Sequence, residues 1–337
     1  MRAMSLVRAA SLNGYPELAA ALGLDTRAIL RRHGLSLKAL ADPEASISMI
    51  AVRDILETSA KAAGVEDFGV RLASNRRLSN LGPIGLVMRE EPTARQALDT
   101  LCRYLRLLNA SLLTRVEDQG DTVTIREQFL IGRPGSTSQS MQLAVGVMFR
   151  MLSELLGPSW TARRALFAHR APADLRAHRA LFGSTISFDA PFNGIVCARR
   201  DLERPLPDTD PGRALFAKRY LEQQLVRTRP QTSDEVRRLI AALLPGGRCT
   251  AERLAQHLDV DRRTIHRRLQ AEGTSFALLL RTVRGELSIR QLRDSDAPIT
   301  EVADLLGFAD ASSLAHWFRG QFGSSISQWR ARAGVNA

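Results

Sequence analysis

The residues best placed to do chemistry in this chain are four arginines and a histidine crowded into one short stretch. Arg262, Arg263, His266, Arg267 and Arg268 follow directly on Asp261. About fifty residues further on, a plainer set repeats the design, with Ser312, Ser313, His316 and Arg319 following Asp310. A guanidinium can donate twice, in a fixed fork, to guanine O6 and N7, and the same group pairs well with phosphate. These residue types therefore suit the reading of double-stranded DNA. Each set also follows a short apolar helical pattern and a tight turn, Leu254 to Val260 before the first and Val302 to Phe308 before the second. A short helix, a turn and a second helix opening at an Asp is the outline of a helix-turn-helix, whose second helix lies in the major groove.

Helix geometry tests this reading. Each residue advances about 100° around the axis, so with Ile265 at zero Leu269 falls at about 40° and the two define a buried stripe. His266, Arg263 and Arg267 then fall at about 100°, 160° and 200°, facing away from that stripe. Gln270 joins them, and Arg262 and Arg268 flank the stripe, where phosphates would lie. In the second unit Leu314 and Phe318 form the stripe, with Ser312, Ala315, His316 and Arg319 opposite. An Arg-rich exposed face is by itself an ordinary solvated face; the repeated turn and repeated Asp argue for DNA. Asp261 and Asp310 have the simpler role of helix N-caps. The first reading helix is expected to supply more of the sequence discrimination, the second more of the register.

Other chemistries find less support. His169, Asp174 and His178 are metal-ligating types, but their spacing offers no rigid face on which three ligands converge. Leu81-Gly82-Pro83-Ile84-Gly85 lacks the pattern of a phosphate cradle and reads as a turn. No Ser or Cys sits in a nucleophile elbow. Cys102, Cys197 and Cys249 lack paired spacing, which argues against a disulfide framework and a zinc site and for a reducing compartment. Cys102 reads as core, with redox sensing by Cys102 or Cys197 as the alternative. The chain is read as a non-enzyme with no cofactor and no metal.

These candidates must be positioned by two kinds of element. Residues 232–337 read as all helical. Thr232-Ser233-Asp234-Glu235 fits a capping box, Thr250 caps the next helix, and Ser275 opens a long helix from Phe276 to Arg293. That connecting helix would span about 27 Å, near the helical repeat of DNA (~34 Å) that separates successive major grooves on one face. Residues 1–211 start helical, with a long helix expected from Thr93 to Leu113. They then change period: Leu112 to Glu117 and Thr122 to Phe129 alternate around Gln119-Gly120-Asp121, a hairpin pattern. A helix over Ser140 to Leu156 follows. Arg164 to His169, Thr185 to Phe188 and Gly194 to Ala198 read as further strands, with a helix over Asp174 to Phe182. The front is thus an α+β domain, helices with a small antiparallel sheet, followed by an all-α domain with two helix-turn-helix units. Residues 212–231 read as a helix and the linker Arg227-Thr228-Arg229-Pro230-Gln231.

Composition sets outer bounds. With 337 residues, 45% hydrophobic and 24% charged, the chain can bury two cores. Its net charge is +12, a balance that suits an anionic partner. From Gln231 onward, however, fifteen Arg face twelve acidic residues, so the DNA reading rests on where individual Arg sit. The N-terminus shows no signal peptide and no apolar run approaches bilayer length, which points to a soluble, cytoplasmic protein with no membrane partner.

The last hundred residues resemble the AraC/XylS family of bacterial transcription regulators. The resemblance is carried by Arg263 to Phe276, Ile299 to Ala303, Leu306-Gly307-Phe308, Asp310 to Leu314 and Phe318 to Gly323. It implies seven helices, promoter DNA as partner, and RNA polymerase beside it. The family usually has Arg at the place of His316 and Pro at the place of Ile326; the first departure leaves the second helix's base contact open, or makes it respond to pH. The front is similar to the N-terminal domain of a subgroup like the ornithine-responsive regulators, through Leu81 to Gly85, Ala97 to Leu108, Phe167-Ala168-His169, Leu181-Phe182-Gly183 and Leu202 to Pro207. It differs from the sugar-binding cupin of the arabinose regulator. This implies an effector-sensing or dimerisation domain that takes a small molecule, and a possible homodimer. The alternative is a ligand-independent regulator whose front serves only dimerisation or partner binding.

Overall fold

The two periodicities in the sequence separate the chain into two compact units. Met1–Phe129 with Ser136–Thr228 make up the front unit, and Leu130–Gly135 with Arg229–Ala337 the second. The computed structural model describes residues 6–130, 135–207, 209–227, 231–247, 249–258, 260–294 and 297–332. The expected linker falls largely on 228–230 and the chain start on 1–5, outside the described residues.

In the front unit β1 (Leu6–Arg8) pairs antiparallel with β2 (Ser46–Ser48), and the short helices α1 (Tyr15–Ala21), α2 (Thr26–Arg32) and α3 (Leu37–Leu40) lie between them in sequence. Helices α4 (Met49–Ala63), α5 (Phe68–Ser74), α6 (Pro83–Arg89) and α7 (Ala94–Leu108) follow. Thr93 caps α7 as expected, accepting the Gln96 amide at 3.2 Å. The helix ends at Leu108, short of the expected Leu113, because Asn109 turns extended and bridges to Val7. Leu98 and Leu101 of its apolar stripe are buried.

The hairpin forms as read: β3 (Leu112–Gln119) and β4 (Thr122–Phe129) pair from Leu112↔Phe129 to Gln119↔Thr122. The two-residue loop needs a positive φ, which Gly120 supplies at 63°. Helix α8 (Ser138–Leu156) is apolar on nearly every side and is correspondingly buried, packed on α4, α5 and the sheet. Then come β5 (Arg164–Leu166), α9 (Arg176–Phe182), β6 (Ile186–Ser187), β7 (Asn193–Ala198) and α10 (Arg199–Glu203). The sheet order is β3-β4-β7-β5-β6. It is antiparallel as expected except at its edge, where the two-residue β6 runs parallel to β5.

Helix α11 (Pro211–Arg227) packs on α6 and α7. Tyr104 donates to Glu222 at 2.5 Å, Arg103 meets the same carboxylate at 2.7 Å, and Lys218 lies 2.8 Å from Glu91. Polar contacts along its length thus fasten this helix to the front unit.

The second unit is helical: α12 (Thr232–Leu243), α13 (Ala251–His257), α14 (Arg262–Ala271), α15 (Phe276–Asp294), α16 (Ile299–Leu305), α17 (Ala311–Phe322) and α18 (Ile326–Arg332). The expected capping box at Thr232 does not form; Gln231 occupies the cap without a side-chain bond. Glu272, beyond the end of α14, accepts the Thr232 and Ser233 amides at 2.7 and 2.8 Å instead. A tertiary carboxylate meets the same unpaired amides that a local Glu would have met. Where Ile326 replaces the family's Pro, Ser325 and Gln328 make a reciprocal box, each accepting the other's amide, at 3.2 and 3.1 Å.

Candidate nucleic-acid interface

Two helix pairs present the candidate residues. In the first, α13 packs on α14, and both pack on α12. Ile265 and Leu269 of α14 are buried at 5% and 1% exposure, as the helical wheel requires. Arg262, Arg263, His266, Arg267 and Arg268 are all exposed. Asp261 caps the helix by accepting the Thr264 amide at 2.8 Å and the Thr264 hydroxyl at 2.7 Å. These two bonds hold the Asp261 carboxyl below the usual Asp range.

The second pair repeats the construction. Helices α16 and α17 pack together, and Leu314 and Phe318 are fully buried while Ser312, Ser313, Ala315, His316 and Arg319 are exposed. Asp310 accepts the Ser313 amide at 2.7 Å. Backbone and side-chain bonds from Ser313 hold the Asp310 carboxyl low, as Thr264 does for Asp261. Ser313 thus stands where Thr264 stands and serves the cap first. Gly307 makes the turn at φ 69°, against the backbone of Leu244. Behind it Phe308 and Trp317 pack at 5.3 Å, Phe318 and Phe322 at 4.5 Å, and Arg284 of α15 covers the Phe308 ring at 4.8 Å while donating to Leu306 O at 3.2 Å. The half-buried pair Arg237–Glu286, at 2.8 Å, ties α12 to α15.

The candidate side chains differ in freedom. Among the described residues Arg263, His266, Arg267, Arg268, His316 and Arg319 carry no side-chain hydrogen bond or ion pair, so their side-chain donors are open to a ligand. Arg262 is engaged, its Nη1 lying 2.8 Å from Glu252 Oε1. The wheel could not show that partner, because Glu252 sits on the other helix of the pair.

The alternative chemistries fare differently. His169 and His178 lie in an aromatic cluster with Phe167 and Phe188; His178 is 5.6 Å from the first ring and 5.3 Å from the second. Burial pushes His178 down to about 4, so it is a neutral ring among rings. Asp174 turns instead to Arg176, at 2.7 Å. Among the described residues no group of His, Cys, Asp and Glu could hold a metal ion. Burial pushes the Cys102 and Cys197 thiols up to about 12 and Cys249 to about 11, which leaves little reactive thiolate.

The front unit holds a largely apolar cavity of about 140 Å³ between the N-terminal strand, α4, α7, α8 and the sheet, whose lining residues the sequence did not reveal. Its few polar lining groups include Arg76, Glu127 and Ser140.

An α+β front unit joined to two capped helix-turn-helix pairs with open cations on their reading helices defines a DNA-binding transcription regulator. Residues 23–206 match the family model described as the arabinose-binding domain of AraC transcription regulator, and residues 254–332 match a helix-turn-helix domain. The chain is 32% identical to the HTH-type transcriptional regulator VirS of Mycobacterium tuberculosis, over 98% of both chains. It is 26% identical to the ornithine utilization regulator of Pseudomonas aeruginosa, over 96% of both. The crystal structure of the transcriptional regulator CdpR from Pseudomonas aeruginosa aligns with a TM-score of 0.41 at 23% identity, covering 78% of this chain and 86% of that one. The chain belongs to the AraC-type family of transcription regulators, which are not enzymes. The match ties the front to the arabinose-binding domain family, yet the described residues form one five-stranded sheet and one two-stranded pair, not the eight-stranded double sheet of a jelly roll. No described helix is long and apolar enough to cross a membrane.

Proposed function

We propose that this protein binds promoter DNA through α14 and α17 under the control of a small molecule held in the front unit. Arg263, His266 and Arg267 read base edges from α14, while Arg262 and Arg268 take the flanking phosphates. On α17 Ser312 and His316 face the bases, and Ser313 and Arg319 set register on the backbone. The reading helices enter successive major grooves of one duplex, joined by a connecting helix whose 19 residues span about 28 Å. A homodimer working beside RNA polymerase in the cytoplasm fits the same reading. The observation that carries it is the twice-built surface: two Asp-capped helices, each with a buried stripe and, opposite, side chains without partners among the described residues.

A genome-wide footprint of the bound protein tests it. The expected result is a two-part site with its halves about one helical turn apart (~34 Å). Binding with no sequence preference would overturn it.

A second reading keeps the DNA interface but gives the front only a dimerisation or partner-binding role. The exposed Leu215, Phe216 and Tyr220 on α11 favour it. Thermal-shift screening of metabolites on the full chain separates the two, since stabilisation requires a ligand that prefers the folded front.

A further inference from the structure

The front cavity has an unusual charge balance. Its walls are mostly Leu, Met, Val and Phe, yet five of the side chains lining it, Arg8, Ser11, Arg76, Glu127 and Ser140, carry a buried polar atom without a partner. Arg76 is 5% exposed; its terminal nitrogens hold the carbonyls of Ala10 and Ser11 at 2.8 and 2.7 Å, and its Nε has no partner. Among the described residues no carboxylate pairs with it. Glu127, 4% exposed, accepts a long bond from Thr114 at 3.4 Å and leaves Oε2 unpartnered. The Ser140 hydroxyl, 2% exposed, is also unpartnered. Arg8, the other cation on the wall, is neutralised by Glu44.

Buried polar atoms without partners are costly, and a buried charge without a counter-ion more so. Burial raises Glu127 to about 8, so at neutral pH it stays an uncharged acid and cannot balance Arg76. Burial lowers Arg76 only to about 10, so it stays a cation. The cavity wall therefore presents one cation, Arg76, that no carboxylate of the described residues balances. An amine would add a second. A monoanion balances Arg76, and an oxygen elsewhere on the same molecule meets the orphaned groups of Glu127 and Ser140. The volume is close to that of an engineered apolar cavity of about 150 Å³ that takes benzene, which limits the ligand to a few heavy atoms.

We propose that this cavity is the effector site and that it takes a short hydroxy- or oxo-monocarboxylate. The carboxylate is held by Arg76, the second oxygen by Glu127 and Ser140, and the carbon chain by the apolar wall. This rests on the reading of the front unit as ligand-responsive and adds the chemical class and the residues.

The test uses calorimetric titration of the full chain with three probes of equal length that match a benzene-sized cavity: 4-hydroxybutanoate, 4-aminobutan-1-ol and butane-1,4-diol. The carboxylate should bind tighter than either other probe by about 10- to 100-fold, the factor carried by one charged hydrogen bond. Ala144→Leu, which fills the cavity, should abolish that binding. Glu127 faces Thr114 of β3, Asn193 opposite it on β7, the Cys102 thiol of α7 and Ser140 of α8. None of these is charged at neutral pH; the charged groups on the same wall are Arg76 and Arg8, the latter paired with Glu44, so as pH rises through about 8 an ionised Glu127 offsets Arg76 and carboxylate affinity should fall. Glu127→Gln should bind and lose this pH dependence, which a merely structural residue would not control. Because Arg76 also ties down the chain near Ala10, the probe series tests its charge role without altering the fold. Equal or better binding of the amine, no binding of the carboxylate, or binding that survives Ala144→Leu would overturn the proposal. Carboxylate binding that leaves promoter affinity unchanged would overturn ligand control and keep the site. Promoter affinity moved by a different metabolite class, with no carboxylate binding, would do the reverse.

Discussion

Arg262 Nη1 lies 2.8 Å from Glu252 Oε1, so one guanidinium of α14, the one proposed to meet a phosphate, comes with a carboxylate already attached. Both side chains are largely exposed, at 72% and 59%, so the pair itself adds little to stability. Its weight falls on DNA binding. Docking on a phosphate must either break the pair or bring the carboxylate's charge along.

The Glu252→Gln variant should therefore bind DNA more tightly, by roughly a few-fold, with cognate and random sequences gaining alike. The slope of log affinity against log salt should steepen by about one, because one more guanidinium now displaces a counterion. Salt-dependent fluorescence anisotropy measures both. An unchanged slope would show that Arg262 stays clear of the phosphates.

Arg267 makes the contrasting case. It is exposed, lies opposite the Ile265–Leu269 stripe and has no partner among the described residues. Arg267→Ala should weaken cognate binding by about 1–3 kcal/mol, leave random DNA nearly unaffected and leave the fold intact. Arg319→Ala should weaken both kinds of DNA alike and flatten the salt slope by about one. Equal loss on both DNAs for Arg267→Ala would move that residue to the phosphates.

What could be read without coordinates follows the range of each interaction. The reading helices were legible because their stripe, cap and exposed face all lie within one segment of about a dozen residues: Ile265 and Leu269, or Leu314 and Phe318, fix the face by themselves. The β3–β4 hairpin was legible for the same reason, its turn and alternation being adjacent. The cap of α12 was misread, since its acceptor, Glu272, stands forty residues away in sequence. The end of α7 was misplaced because Val7, at the far end of the unit, supplies the bridge that stops it. The residues of the cavity were hidden, for Arg76, Glu127 and Ser140 come from separate elements and no local pattern brings them together.

Gly307 tests the turn of the second unit. Its φ of 69° is a left-handed conformation that side chains other than glycine rarely adopt, and a Cβ there would stand 2.4 Å from Leu244 O. That neighbour is backbone and cannot swing away. Gly307→Ala should destabilise the second unit by about 2–4 kcal/mol, combining the conformational penalty with overpacking. Urea unfolding followed by tryptophan fluorescence reads this directly, because Trp317 sits beside the same turn on Phe308. Gly273→Ala is the control: its φ of 71° is similar but nothing lies within 4 Å of the added carbon, so it should cost only the conformational part. Equal losses at the two sites would mean that the Leu244 carbonyl moves aside.

The two caps carry a dependence on acid whose sign is fixed. Thr264 holds Asp261, and Ser313 holds Asp310, below the usual carboxylate value in the folded chain. A carboxylate depressed by folding adds stability that is fully present above its unfolded value of about 3.9 and is lost as pH falls through the lower folded value. Wild type should therefore lose helicity more steeply between about pH 4 and pH 2 than a chain carrying Asp261→Asn and Asp310→Asn, since asparagine caps as well but does not titrate. At pH 7 the two proteins should unfold at nearly the same urea concentration, whereas Asp261→Ala with Asp310→Ala should unfold earlier at both pH values. Circular dichroism along an acid titration distinguishes the three. Superimposable curves for wild type and the asparagine variant would show that Asp261 and Asp310 cap their helices equally well when protonated, so that the carboxylate charge adds nothing.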